Sequence, residues 1–227
     1  MAYPCLYNEN LFSVNESLKI ISNLNLPTKT TLWQYSVADL GAEKVSKILG
    51  VFGQTLVVVC KMPVYPEHIL IGIDINDGKL LWSVNLPQYL MHSNLFYYEQ
   101  NNSIISLRRN FLWEFSVFSM EVLREKQIPE TFKYISLNVQ VELASLYGDF
   151  IYFAGKDLEN VRPSALVGVF DLKTEKLVDV HDLQSDGTFT VGGNSRPQVS
   201  GNKIYVQDTK NTLHILERES DALNEQG

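Results

Sequence analysis

The sequence predicts an all-β chain, and three observations carry that expectation. A strand, tight turn, strand pattern recurs along its length; each copy follows a polar turn and a short apolar strand; and the aromatic and β-branched content suits stacked sheets. The clearest copy is residues 69–87. Leu70, Ile71, Ile73 and Ile75 alternate as a half-buried strand, Asn76-Asp77-Gly78 supplies the turn, and Leu80, Leu81, Trp82, Val84 and Leu86 resume a strand that Pro87 ends. The preceding strand starts at Leu11, Leu56, Ile104, Ile151 and Ile204, a spacing of about 45 to 53 residues. That is the period of a four-stranded propeller blade, so the expected fold is a small β-propeller of about five four-stranded antiparallel blades, the last one short.

The first repeat, residues 3–39, is compact: Pro27 and Thr28 take the hairpin turn, and Trp33 aligns with Trp82. The second, residues 40–87, carries an insertion between its second and third strands, residues 61–68, which two prolines stiffen while Met62, Val64 and Tyr65 offer apolar surface. The third, residues 88–129, aligns Pro129 with Pro87, and its short turns read as structural. The fourth, residues 130–183, aligns Asp171 with Asp74 and has its own insertion at the equivalent place, residues 156–164. The fifth, residues 184–218, stops after three strands, and the polar tail 219–227 supplies no fourth. The two ends match each other best, with residues 3–12 lying over residues 196–205, so both begin a repeat. The whole is expected to be one propeller domain.

Residues Ile73-Asp74-Ile75-Asn76-Asp77-Gly78-Lys79-Leu80-Leu81-Trp82 resemble the pyrroloquinoline-quinone-type propeller repeat, whose hairpin reads ALD-x-x-TG-x-x-x-W. The resemblance runs over nearly the whole chain and is sharp in two repeats, because the Gly is replaced at Lys29, Met120 and Glu175 and the Trp at Arg124 and Asp179. It implies a propeller, not use of the quinone: the quinone dehydrogenases of that family carry adjacent cysteines and are much longer, whereas this chain has only Cys5 and Cys60.

Composition narrows the partner. A formal charge of −7 argues against nonspecific affinity for nucleic acid or anionic lipid, which require basic surface, and suits a basic partner. Cys60 ends an apolar run and is expected to be a buried thiol; Cys5 falls in a predicted strand, and two such distant cysteines make no disulfide framework. The opening residues have neither the basic region nor the apolar core of a signal peptide, and no apolar run approaches a spanning helix, so the expected location is the cytoplasm.

No catalytic constellation stands out. His68, His92, His181 and His214 share no metal-ligand spacing, so no metal or other cofactor is expected. Gly192-Gly193-Asn194 precedes no helix that would complete a phosphate loop. Among predicted first strands only Glu142 is acidic, so a carboxylate pair at the axis is not expected. Asp74 and Asp171 fit turn hydrogen bonding, and Trp33 and Trp82 fit packing between blades. What remains is surface. In a propeller the loop joining strands two and three shares a face with the loop that leads to the next blade. That groups Met62, Val64, Tyr65 and Glu67 with Tyr89, His92, Asp157, Glu159, Arg162 and Asp186 as a protein-binding face. The expected function is therefore non-enzymatic protein binding. Small acidic chains with degenerate propeller repeats are similar to bacterial immunity proteins, which implies a basic toxin domain as partner. The alternatives are a lectin-like propeller that binds small glycans, against which the divergent turns argue, and a hydrolase of the five-bladed glycosidase type.

Overall fold

The computed structural model describes residues 3–64, 67–88, 90, 94–108, 111–127, 144–156, 165–183, 196–207 and 211–217. Their strands form five sheets, each a meander in chain order. The first holds β1 (Cys5–Tyr7), β2 (Asn10–Val14), β3 (Ile20–Asn25) and β4 (Thr30–Ser36); the second β5 (Lys44–Phe52), β6 (Thr55–Lys61), β7 (His68–Asp74) and β8 (Leu80–Asn85). The third holds β9 (Leu95–Tyr98), β10 (Ser103–Arg108), β11 (Phe111–Ser116) and β12 (Val122–Gln127); the fourth β13 (Ala144–Tyr147), β14 (Phe150–Lys156), β15 (Ala165–Asp171) and β16 (Lys176–Asp182). The fifth has three strands among the described residues, β17 (Gln198–Ser200), β18 (Lys203–Gln207) and β19 (Leu213–Glu217). Five antiparallel meanders with a short last member are the blades of a small β-propeller, the fold class that the repeat predicts.

The repeat is visible in its bonds. The residue after the third strand donates its backbone N–H to the turn before the second strand in four sheets: Leu26 to the Glu9 carbonyl (2.9 Å), Ile75 to Gln54 (3.1 Å), Val117 to Asn102 (3.4 Å) and Leu172 to Asp149 (2.8 Å). The residue before it caps the hairpin turn with its side chain. Asn25 Oδ1 accepts from the Thr28 N–H at 3.1 Å, Asp74 Oδ1 from Asn76 at 2.7 Å, Ser116 Oγ from Ser119 at 3.1 Å and Asp171 Oδ1 from Lys173 at 2.8 Å. Gly78 has φ +73°, and Lys29, Met120 and Glu175 keep that left-handed backbone at φ 56°, 59° and 54°. The conformation has outlived the glycine that makes it easy, at roughly 1 kcal/mol per side chain.

The contacts divide the chain into two compact units, Met1–Ile104 with Phe115–Val122, and Ile105–Glu114 with Leu123–Gly227, so the division runs through the third sheet. In the first unit Phe12, Ile21, Leu56, Ile71 and Ile73 centre the core, each with no exposed surface. Each stabilises the fold by about 1.5–3 kcal/mol. Here the structure differs from the alternation expected for residues 70–75. The run Ile69–Ile73 is buried on both faces, because a middle strand of a stacked sheet has neighbours above and below, while the outer β8 alternates as expected. In the second unit Tyr152, Ala154, Val167 and Val169 of the fourth sheet pack with Ile204 and Val206 of the fifth.

One register position recurs on the outer strands of three sheets. Trp33 on β4 pairs with Asn23, Trp82 on β8 with Gly72, and Asp179 on β16 with Val169, each beside a register shift at the same place. Trp33 Nε1 donates to the Ile75 carbonyl of the second sheet at 2.8 Å, and Asn23 Nδ2 donates to the same oxygen at 3.1 Å. The indole lies over Gly78, where a Cβ would stand 2.7 Å from the ring. Trp82 meets Phe115 of the third sheet, ring centroids 5.4 Å apart. Within the second unit Arg124 takes this role toward the fourth sheet. Its Nη1 donates to the Leu172 carbonyl at 3.2 Å and to Glu175 Oε1 at 3.1 Å, and its Nε donates to the Glu114 carboxylate. Leu172 and Glu175 are the counterparts of Ile75 and Gly78.

Candidate functional site

Register places the start of β5, the end of β6, the start of β7 and the end of β8 at one end of the second sheet: Lys44 pairs with Lys61, Lys61 with His68, and Ile69 with Asn85. The 61–68 insertion leaves from that end. Its described residues are tied together, with the Met62 N–H bonded to the Glu67 carbonyl at 3.0 Å and the Glu67 N–H to the Val64 carbonyl at 2.8 Å. Met62 is half-buried and packs against the core of the first unit, which anchors the turn. Val64 at the tip is 62% exposed, and Glu67 is exposed beside it. The stretch after β8 runs along the same end, since the Leu86 N–H bonds to the His68 carbonyl at 2.9 Å and Leu90 folds back onto Pro87 at 2.9 Å.

Charge borders this end as well. Lys61 Nζ lies 2.6 Å from Glu43 Oε2, and that hydrogen bond, helped by the nearby Lys44 and Lys19, holds the Glu43 carboxyl below the usual carboxylate range. The surface therefore combines a small apolar tip, a carboxylate at Glu67 and an ion pair at its base.

Of the residues expected on the binding face, Met62, Val64 and Glu67 come together in this turn. Tyr65, Tyr89, His92, Asp157, Glu159, Arg162 and Asp186 lie outside the described residues. Of the 156–164 insertion only Lys156 is described; it pairs with Ala165 at the end of the fourth sheet where Leu166 pairs with Asp182.

The two thiols offer no ionised nucleophile at neutral pH. Burial pushes Cys60 up to about 12, and burial also raises Cys5 despite a backbone hydrogen bond at Val51 that acts the other way. Among the described residues no group of three or more His, Cys, Asp and Glu side chains is placed to hold a metal ion. None of their helices is long and apolar enough to cross a membrane.

A second concavity was not foreseen in the sequence. A cavity of about 490 Å³ opens between the fourth and fifth sheets of the second unit. Val178, Val199 and Ile215 form apolar wall, and Tyr152, Asp179 and Glu217 also line it. Glu114 was overlooked too. Its side chain is 1% exposed and it is ion-paired with Arg124, which meets Glu175 in turn, while Lys126 pairs with Glu175 from the surface. The signal was present: the Trp position of the third repeat holds Arg124 and the Gly position of the fourth holds Glu175.

No protein-family model matches the chain, and no curated protein matches it. Solved structures do. It is similar to BamB from Moraxella catarrhalis, with 13% identity and a TM-score of 0.52 over 94% of this chain and 56% of that one. The C-terminal WD40 domain of Sif2 gives 11% identity and a TM-score of 0.58 over 94% and 54%, and a europium-containing methanol dehydrogenase 11% and 0.55 over 90% and 51%. The chain thus spans about half the length of these structures. The likeness is one of fold, a β-propeller, and it joins enzymes with non-enzymes.

Proposed function

We propose that the chain is a non-catalytic, protein-binding β-propeller built from degenerate pyrroloquinoline-quinone-type repeats that do not use the quinone. The observation that supports this reading best is the 61–68 turn. Hydrogen bonds from Met62 to Glu67 and from Glu67 to Val64 hold its described residues together and Met62 anchors it, which supports the presentation of an exposed Val64 and Glu67 to a partner. A rigid sheet scaffold that offers such a turn is the arrangement a protein partner exploits. With a formal charge of −7 the favoured partner is basic. The role that fits is a cytoplasmic immunity protein that binds and blocks a basic toxin domain, with the loop end as its contact surface.

The test is affinity capture from the lysate of the native organism, with the wild type beside a Val64→Asp, Glu67→Ala variant. A single stoichiometric partner, basic in composition, retained by the wild type and lost by the variant supports the reading. Recovery of no protein by either would sink it and turn attention to glycans and small ligands.

A further inference from the structure

Two joints in this molecule are closed by a long side chain that reaches a turn carbonyl of the following sheet, Trp33 toward Ile75 and Arg124 toward Leu172. Between the fourth and fifth sheets the same register position holds Asp179, a much shorter side chain than Trp33 or Arg124. Asp179 lines the 490 Å³ cavity found there. A cavity thus stands where the other joints carry a long side chain.

The lining says what kind of plug fits. Val178, Val199 and Ile215 give apolar wall for an unbranched stem, and the polar lining holds two carboxylates, Asp179 and Glu217, beside His181, Asn202 and Tyr152. Glu217 already takes a hydrogen bond from Asn202 Nδ2 at 2.9 Å and has Lys203 Nζ at 3.9 Å. Asp179 is exposed and makes no hydrogen bond or ion pair with the described residues. An indole would fill the walls and leave this acid without a counter-charge. A guanidinium supplies several donors in a planar fork and matches carboxylates, as Arg124 does with Glu114 and Glu175. The volume lies within the roughly 300–1,000 Å³ of ligand pockets, room for one long side chain and part of its backbone.

We propose that the cavity between the fourth and fifth sheets receives an arginine side chain of a basic protein partner, with Asp179 as its principal carboxylate. The proposal rests on the protein-binding reading and adds a contact away from the 61–68 turn.

The probe is the capped peptide acetyl-Ala-Arg-Ala-amide, compared with its citrulline counterpart, which keeps the shape and loses the charge. Each is titrated into the isotope-labelled full chain while the amide signals of Asp179 and Ile215 are followed. The arginine peptide should bind about tenfold tighter than the citrulline peptide, and Asp179→Asn should remove most of that margin. Asp179→Trp, which restores the plug of the repeat, should abolish binding and raise the melting temperature. Equal binding of the two peptides, or binding that survives Asp179→Trp, overturns the proposal. So does a tenfold gain in affinity from Arg218→Gln in the full chain, because the socket would then be held by the chain's own arginine. The two readings fail separately. A protein that binds the arginine peptide but captures no partner loses the protein-binding reading and keeps the socket, whereas one that captures its partner equally well as Asp179→Trp loses the socket alone.

Discussion

The joint at Trp33 and the joint at Arg124 do the same work with opposite chemistry. Both side chains leave the outer strand of one sheet and donate to the carbonyl that follows the third strand of the next, Ile75 in one case and Leu172 in the other. Trp33 is neutral, 8% exposed, and rests on the bare backbone of Gly78. Arg124 carries a charge, and where Trp33 finds a glycine it finds Glu175, with Glu114 behind it. What persists between repeats is the carbonyl target and the register, and the donor can change provided its neighbours change with it. The cost of error differs accordingly: a lost indole leaves a void, while a lost guanidinium takes a counter-charge away from a buried carboxylate.

That contrast can be broken at its strongest point first. Arg124→Ala should destabilise the fold by about 3–5 kcal/mol in urea denaturation, because the buried Glu114 loses the guanidinium that faces it. Gly78→Ala comes next, at about 1–3 kcal/mol, since the added methyl meets the Trp33 ring at a left-handed φ. Combining it with Trp33→Leu should recover part of that loss, which a double-mutant cycle reads directly. In the opposite direction Asp179→Trp should stabilise by about 0.5–2 kcal/mol, seen as a higher melting temperature. Glu175→Gln should cost less than about 1 kcal/mol and lose its effect at high salt, whereas Gly78→Ala should be indifferent to salt.

The smallest effect is one of pH. Burial pushes the Asp171 carboxyl up, but the N–H groups of Lys173 and Thr174 and the Thr174 hydroxyl outweigh it, so the group sits below its ordinary value in the folded chain. A depressed carboxylate contributes stability that is present above its unfolded value and disappears as pH falls through the folded one. The wild type should therefore lose slightly more stability than Asp171→Asn below about pH 4, which acid titrations of the two chains would show.

Local chemistry was legible in the sequence. Asn76-Asp77-Gly78, the caps Asp74 and Asp171 and the packing role of Trp33 all act within a few residues or at a fixed repeat position, and each does what its residue type predicts. The burial of Ile69–Ile73 on both faces was not legible, because alternation reports one strand and says nothing of the sheets on either side. Glu114 escaped for the same reason. A glutamate in a strand reads as solvent-facing until Arg124, ten residues away, and Glu175, sixty-one away, are placed beside it. The loop turn was legible as an insertion with two prolines, but the division of labour between an anchoring Met62 and a presented Val64 depends on the core beneath. The socket at Asp179 depends on a residue that is missing, and composition has no sign for that.

The unlike joints would also bias which sheets pair as the chain folds. Chains of near-identical repeats are prone to pair the wrong neighbours, since any sheet could receive any other. Here the indole of the first sheet fits a glycine turn and would collide with the glutamate at 175, while the guanidinium of the third needs carboxylates that the second sheet does not offer at Gly78. The first sheet is thereby keyed to the second and the third to the fourth, by docking side chains as well as by the covalent chain.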